Sequence, residues 1–222
     1  MAMKTLKAGI LLLFALVLSG CEDLGGGLNY ATALARGVLS QGASTGAPAR
    51  SLPRETIDAA GVPLILVEVP DRQASATMVQ VGRNGDVRSW SGSDGVGVSM
   101  TNAGLLVSTR GYGGDILSAD VSEVHRALLR PRAAFATRTM RFLDGQGRDF
   151  ARSYACDYSS GGRQQVEIFE RTYQLDQVVE RCLASDHGFE NLYWLDAGGT
   201  IWKSIQYAGP HAGSLLIERL HE

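Results

Sequence analysis

The side chains that do most chemistry in proteins are thinly spread here. The four histidines, His125, His187, His211 and His221, show no metal-ligand spacing such as i,i+4 on a helix, so no metal centre is expected. No G-x-S-x-G nucleophile elbow occurs, and serines near His or Asp are no more frequent than chance. Asp94, Asp144, Asp149 and Asp196 all sit among turn residues, which explains them without a catalytic carboxylate pair. No catalytic residue and no cofactor are therefore assigned. Two segments offer contact chemistry. Tyr193-Trp194-Leu195-Asp196 and Ile201 to Gln206 straddle a hairpin whose alternation sets large rings on one face and hydrogen-bonding groups on the other. Trp194, Trp202 and Gln206 are candidate glycan or partner contacts, against the reading that the tryptophans fill a β core. Arg110-Gly111-Tyr112-Gly113-Gly114-Asp115 is either a strand-to-helix connection or a binding loop, with Arg110, Tyr112 and Asp115 as its contacts.

The cysteines give an address. Lys4 and Lys7 precede an uncharged, apolar run from Ala8 to Leu18, the pattern of a secretory signal. The run is too short to cross a bilayer core of about 30 Å as a helix. Leu18-Ser19-Gly20-Cys21 resembles a bacterial lipobox, so residues 1–20 are expected to be removed and Cys21 acylated. Cys21 also explains an odd count of 3 Cys. Cys156 and Cys182 then pair in an oxidising compartment, and a disulfide is expected; a catalytic thiol is the alternative. In bacteria of the enteric type Asp next to the lipidated Cys means inner-membrane retention. Here Glu22 and Asp23 follow, and the expectation is an outer-membrane anchor with a periplasmic body, inner-membrane retention being the alternative.

Elements that could position these residues are mostly strands. Gly25 to Gly27 reads as a tether after Cys21, and 28–39 as a short amphipathic helix with Asn29 at its N-cap. Residues 28–222 are read as one β-rich domain. Leu64 to Val69 is a strand closed by Pro70, and Asn84-Gly85 signals a type I′ hairpin between 76–81 and 87–91. Strands are expected at 96–100, 104–109, 137–143, 149–158, 164–171, 175–183, 192–195, 200–207 and 214–220. Residues 54–61 are ambiguous between a helical turn and irregular chain. A helix is expected from about Ser118 to Leu129, ended by Pro131 and capped by Ser118 or Asp120. Short strands at such spacing indicate a mainly β protein, an antiparallel barrel or sandwich, with one N-terminal and one central short helix.

Composition agrees. The 27 glycines against only 6 prolines favour tight turns over a Pro-rich linker. With 21 Lys+Arg against 23 Asp+Glu, a net charge of −2 and no basic run, phosphate-directed nucleic-acid binding is disfavoured. Membrane attachment is expected through lipid rather than charge.

Taken together, the lipobox, Trp90, Gly95, Leu106 to Gly111 with Asp115 and Leu117, Val179 to Cys182, and above all Asn191 to Asp196, Gly199, Trp202 to Gln206 and Gly209-Pro210 resemble the YjbF/GfcB-type group 4 capsule polysaccharide lipoproteins. Where families of this sort show Arg in the strand after the hairpin, this sequence has Lys203 and Ile205. The resemblance implies a barrel-like β fold and a non-enzymatic part in assembling or exporting an extracellular polysaccharide. The implied partners are other envelope proteins of the export route, with the polysaccharide itself a further one. A polysaccharide lyase or hydrolase, and a purely structural envelope lipoprotein, are the alternatives.

Overall fold

The computed structural model describes residues 49–132, 134–143 and 146–221. The expected signal segment, Cys21, the glycine tether and the 28–39 helix lie outside them.

Alternation of buried and exposed side chains builds twelve strands: β1 (Leu64–Val69), β2 (Ala74–Asn84), β3 (Val87–Ser91), β4 (Gly97–Thr101), β5 (Leu106–Arg110), β6 (Ile116–Asp120), β7 (Phe135–Leu143), β8 (Asp149–Ile168), β9 (Arg171–Leu183), β10 (Gly188–Leu195), β11 (Ile201–Tyr207) and β12 (Ser214–His221). Two short helices join them, α1 (Arg54–Ala59) and α2 (Val124–Leu129). The mainly β reading with one early and one central helix holds, the ambiguous 54–61 stretch being helical. All strands form one antiparallel sheet in the order β5-β4-β3-β2-β1-β12-β11-β10-β9-β8-β7-β6. It is two up-and-down meanders, β1–β5 and β6–β12, joined by the β1–β12 ladder. The sheet curls into a nearly closed barrel whose seam lies between β5 and β6. There the Ile116 amide donates to Thr109 Oγ1 at 2.9 Å, a side chain substituting for a ladder bond.

Two cores result. Inside the barrel pack Ile65, Val67, Met78, Trp90, Met100, Tyr154, Val178, Leu215 and Ile217. On the outer face of β1 and β10–β12, Leu64, Leu66, Trp194 and Leu220 are covered by Leu52, by Ile57 of α1, and by Val166, Ile168 and Leu175 from the far part of the β8–β9 hairpin. That hairpin is much longer than its neighbours. It runs beyond the barrel and lies over the sidewall, where Arg171 meets Asp58 of α1 at 2.9 Å.

Three expectations are corrected. The 118–129 helix is β6 followed by α2: Ile116 and Ala119 are buried against Phe142 and Met140 of β7, which requires extended chain at the seam. Asp120 accepts from the Ser122 amide at 3.0 Å in a turn and does not cap α2. The strands expected at 149–158 and 164–171 are one, because the ladder to β9 continues between them through a bulge between Ser160 and Gly162, with Gly162 at φ 80°. The β2–β3 hairpin lies where expected, but Gly85 and Asp86 are its central residues and only Gly85 has positive φ, as a type II′ turn needs.

Candidate functional site

Antiparallel alternation divides the connections between two barrel ends. One end carries the β1–β2, β5–β6, β9–β10 and β11–β12 turns. The other carries α2 with the β4–β5 and β10–β11 turns.

At the second end α2 lies across the barrel mouth. Val124, Ala127 and Leu128 point into the core, while His125 and Leu129 grip the β10–β11 turn. His125 Nε2 is 3.3 Å from the Gly199 carbonyl. Gly199 sits at φ 83°, which the turn requires, and a Cβ there would displace the Leu129 side-chain end 2.7 Å away. The turn is fixed by Asp196: Oδ1 accepts from the Gly198 and Thr200 amides at 2.8 and 3.0 Å, and Oδ2 from Trp202 Nε1 at 2.8 Å.

Two clefts flank this seal. One, of about 420 Å³, is lined by Asp86, Asn102, Leu105, His125 and Thr200. The other, of about 470 Å³, lies between the end of α2 and the bend of the β8–β9 hairpin, and is lined by Arg130, Arg132, Ser160, Asp176, Gln177 and Asp196. Both fall within the usual size of small-molecule sites.

The residues singled out from sequence are not gathered at one place. Arg110 is exposed at the end of β5, and the loop after it lies at the opposite end from α2. The Asp115 carboxylate accepts from Thr109 Oγ1 and from the Gly111 and Tyr112 amides, all within 3.0 Å, so it holds its own loop. Tyr112 is buried, which pushes its hydroxyl's pKa well up, and its carbonyl accepts from Arg72 at 2.6 Å. This segment connects strand to strand. Trp194 and Trp202 lie together on the outer face beneath the hairpin. Trp194 Nε1 donates to Gln164 Oε1 at 2.9 Å, and Trp202 stacks on Tyr173 with centroids 4.7 Å apart. Gln206 is fully buried. Its Nε2 donates to the Gly104 carbonyl and Ser204 Oγ, and its Oε1 accepts from the Leu106 amide, tying the β4–β5 turn to β11. Its side chain has no exposed surface, and its amide is engaged within the barrel.

The barrel interior holds an ionic cluster that alternation does not announce. Arg138 of β7 and Glu180 of β9 are both fully buried, with Nε 3.5 Å from the carboxylate. Glu180 Oε1 accepts from Tyr158 at 2.7 Å, and Oε2 from Tyr193 at 2.7 Å and Asn191 Nδ2 at 2.6 Å. Asn191 Oδ1 accepts from the Tyr207 amide. Burial, the largest single influence, would weaken Arg138's hold on its proton, but the Glu180 charge acting together with the Tyr193 and Tyr158 oxygens outweighs it, so the guanidinium is held above its ordinary value. Beside the cluster Cys156 and Cys182, directly paired across β8 and β9, are joined as a disulfide. Their sulfurs and the Glu180 carboxylate lie within 4.8 Å of one another, but the sulfurs are bonded together and offer no thiolate to a metal. Arg138, Glu180, Tyr158 and Asn191 escape a sequence reading because they are 11 to 53 positions apart on four strands; their inward parity is the one signal available.

Five tyrosines, Tyr112, Tyr154, Tyr158, Tyr193 and Tyr207, have raised pKa values, in each case chiefly by burial, Tyr207 to about 12. A hydroxyl whose folded pKa exceeds its unfolded value near 10 contributes its full stabilisation below pH 10 and loses it as pH rises through the folded value. Stability is therefore expected to fall between pH 10 and about 12, read as a decreasing melting temperature with the tyrosinate absorbance of these five appearing only as the protein unfolds. Tyrosinate absorbance from all seven tyrosines with the fold intact would contradict it.

No curated protein matches the chain. Among solved structures, the hypothetical lipoprotein YmcC from Escherichia coli (K12) superposes with a TM-score of 0.67 at 16% identity, over 77% of this chain and 89% of its own, which establishes a shared fold. The family described as group 4 capsule polysaccharide lipoprotein GfcB, YjbF matches residues 32–220, a span that takes in every strand but the last residue of β12, both helices and the disulfide. The chain belongs to the group 4 capsule polysaccharide lipoprotein family.

Proposed function

We propose that this envelope lipoprotein assists the assembly or export of an extracellular polysaccharide without catalysing a reaction on it. The family match over nearly the whole barrel carries the reading. The arrangement of the molecule supports it: the barrel interior is filled by side chains such as Arg138, Tyr154, Tyr193 and Met100, which makes a rigid body that works through its surface and its ends. In this reading residues 1–20 are a cleaved signal, Cys21 carries the acyl chains, and 21–27 tether the body to the periplasmic face of the outer membrane. Other proteins of the export route are its partners.

Deleting the protein from a producing strain is expected to lower surface polysaccharide, restored by the wild-type chain and not by Cys21→Ala. Unchanged surface polymer in the deletion strain refutes the reading. Shortened chains or new reducing ends, when the purified protein is incubated with the native polymer, would replace it with an enzymatic one.

A further inference from the structure

Most arginines among the described residues are held by a partner. Arg50, Arg54, Arg141, Arg152, Arg163, Arg171 and Arg181 pair with carboxylates, and Arg138 with Glu180. Arg110, Arg126, Arg130 and Arg132 have neither ion pair nor side-chain hydrogen bond among the described residues. Three of these four fall within seven positions on and just after α2, and two line the larger cleft. Cations at a helix C-terminus have a modest dipole rationale, but α2 has only six residues.

The remaining polar groups of that cleft are one-sided. Asp176 accepts both bonds of the Arg163 fork, at 2.9 and 2.8 Å, and both Asp196 oxygens hold the β10–β11 turn. Gln177 Oε1 accepts from Gln164 Nε2 at 2.8 Å, and Ser160 Oγ accepts from the Gly162 amide at 3.2 Å. Each side-chain acceptor thus has a donor within the protein, and with the Asp176 charge met by Arg163, the two arginines outweigh the one remaining carboxylate, Asp196. The guanidinium forks of Arg130 and Arg132, the Gln177 amide N–H and the Ser160 hydroxyl proton have no acceptor among the described residues. The cleft presents donors and positive charge to an incoming group. Leu129, 51% exposed, with Pro131 and Ala197, adds apolar surface suited to the C–H face of a sugar ring.

We propose that this cleft binds a carboxylate-bearing saccharide, a uronic acid residue of a polymer, with Arg130 and Arg132 engaging the carboxylate and Gln177 and Ser160 its ring oxygens. A planar carboxylate matches the guanidinium fork. The inference rests on the polysaccharide reading for the kind of polymer met in the cell, and on the cleft for its charge.

Calorimetric titration of the full-length protein in detergent, with tetragalacturonate as probe, tests it. Binding is expected to weaken as salt is raised, and to drop at least about tenfold in R130A/R132A, the scale of losing charge-assisted hydrogen bonds. Both side chains are exposed, so the variant should melt with the wild type. Arg110→Ala, equally unpaired but at the other end of the barrel, should leave binding within about twofold. No binding of tetragalacturonate, equal binding of uncharged maltotetraose, or an Arg110→Ala loss as large as that of the double variant would overturn the proposal. So would full displacement by equimolar inorganic phosphate, or equal binding of an oligoglutamate peptide. The two ideas fail separately: a deletion strain short of surface polymer with uronate binding absent defeats the cleft alone, and cleft binding with unchanged surface polymer defeats the export reading alone.

Discussion

Replacing Glu180 with Gln is expected to be among the most damaging conservative changes this protein can suffer. The carboxylate is the sole counter-charge for Arg138 within the described interior, and both groups are wholly shielded from water. Gln is nearly isosteric and can still accept from Tyr158 or Tyr193, so the loss is dominated by the buried cation left without its anion. Breaking a buried pair in this way costs about 3–5 kcal/mol. In a barrel of this size that corresponds to a fall in melting temperature on the order of 10 °C, with a matching shift in the urea midpoint and unchanged m-value. Arg138→Met combined with Glu180→Gln should recover much of the loss, since it removes the stranded charge. A double variant no more stable than Glu180→Gln alone would show that shape and hydrogen bonding, not charge, govern the site.

The second large effect concerns the disulfide. Cys156→Ala with Cys182→Ala, leaving Cys21 in place, is expected to cost about 3–4 kcal/mol, the chain-entropy value for a loop of this length. Both sulfurs are buried, so a mild reductant applied to the folded protein should leave the bond intact, and alkylation should follow reduction only in denaturant. Rapid labelling of two thiols under native conditions would refute that. Cys182 and Glu180 are two positions apart on the same inward face of β9, with side chains within 4.8 Å. The cysteine pair and Glu180→Gln are therefore expected to be non-additive when combined.

What could be foreseen follows from which physical signal is local. β1 matches its sequence assignment because a Pro-closed run of branched residues is decisive by itself. The disulfide followed from compartment and cysteine parity. The Ser159 to Gly162 stretch misleads because a bulge inside a long strand uses the same small residues as a turn; only the ladder to β9 on both sides distinguishes them. β6 misleads because its extended shape comes from β7, not from its own five residues. The contact groups were legible as types and not as places. Trp194 and Trp202 do share one face, but the β8–β9 hairpin covers it, a docking of strands far apart in sequence. Arg130 and Arg132 became interesting only through what they fail to meet, which no spacing rule can reveal.

The order of strands has a kinetic consequence. Ten of the eleven ladders join neighbours in sequence, each closing only a short connection. The β1–β12 ladder alone spans the molecule, pairing Leu64 with His221 and Glu68 with Leu216. Each meander can zip up by itself, but merging them requires a loop closure over about 150 residues, the slow and entropically costly step. A chain made N-terminus first can therefore not close its barrel until residues 214–221 are available to pair with β1. The final strand times the fold: the rigid body exists only once β12 has met β1.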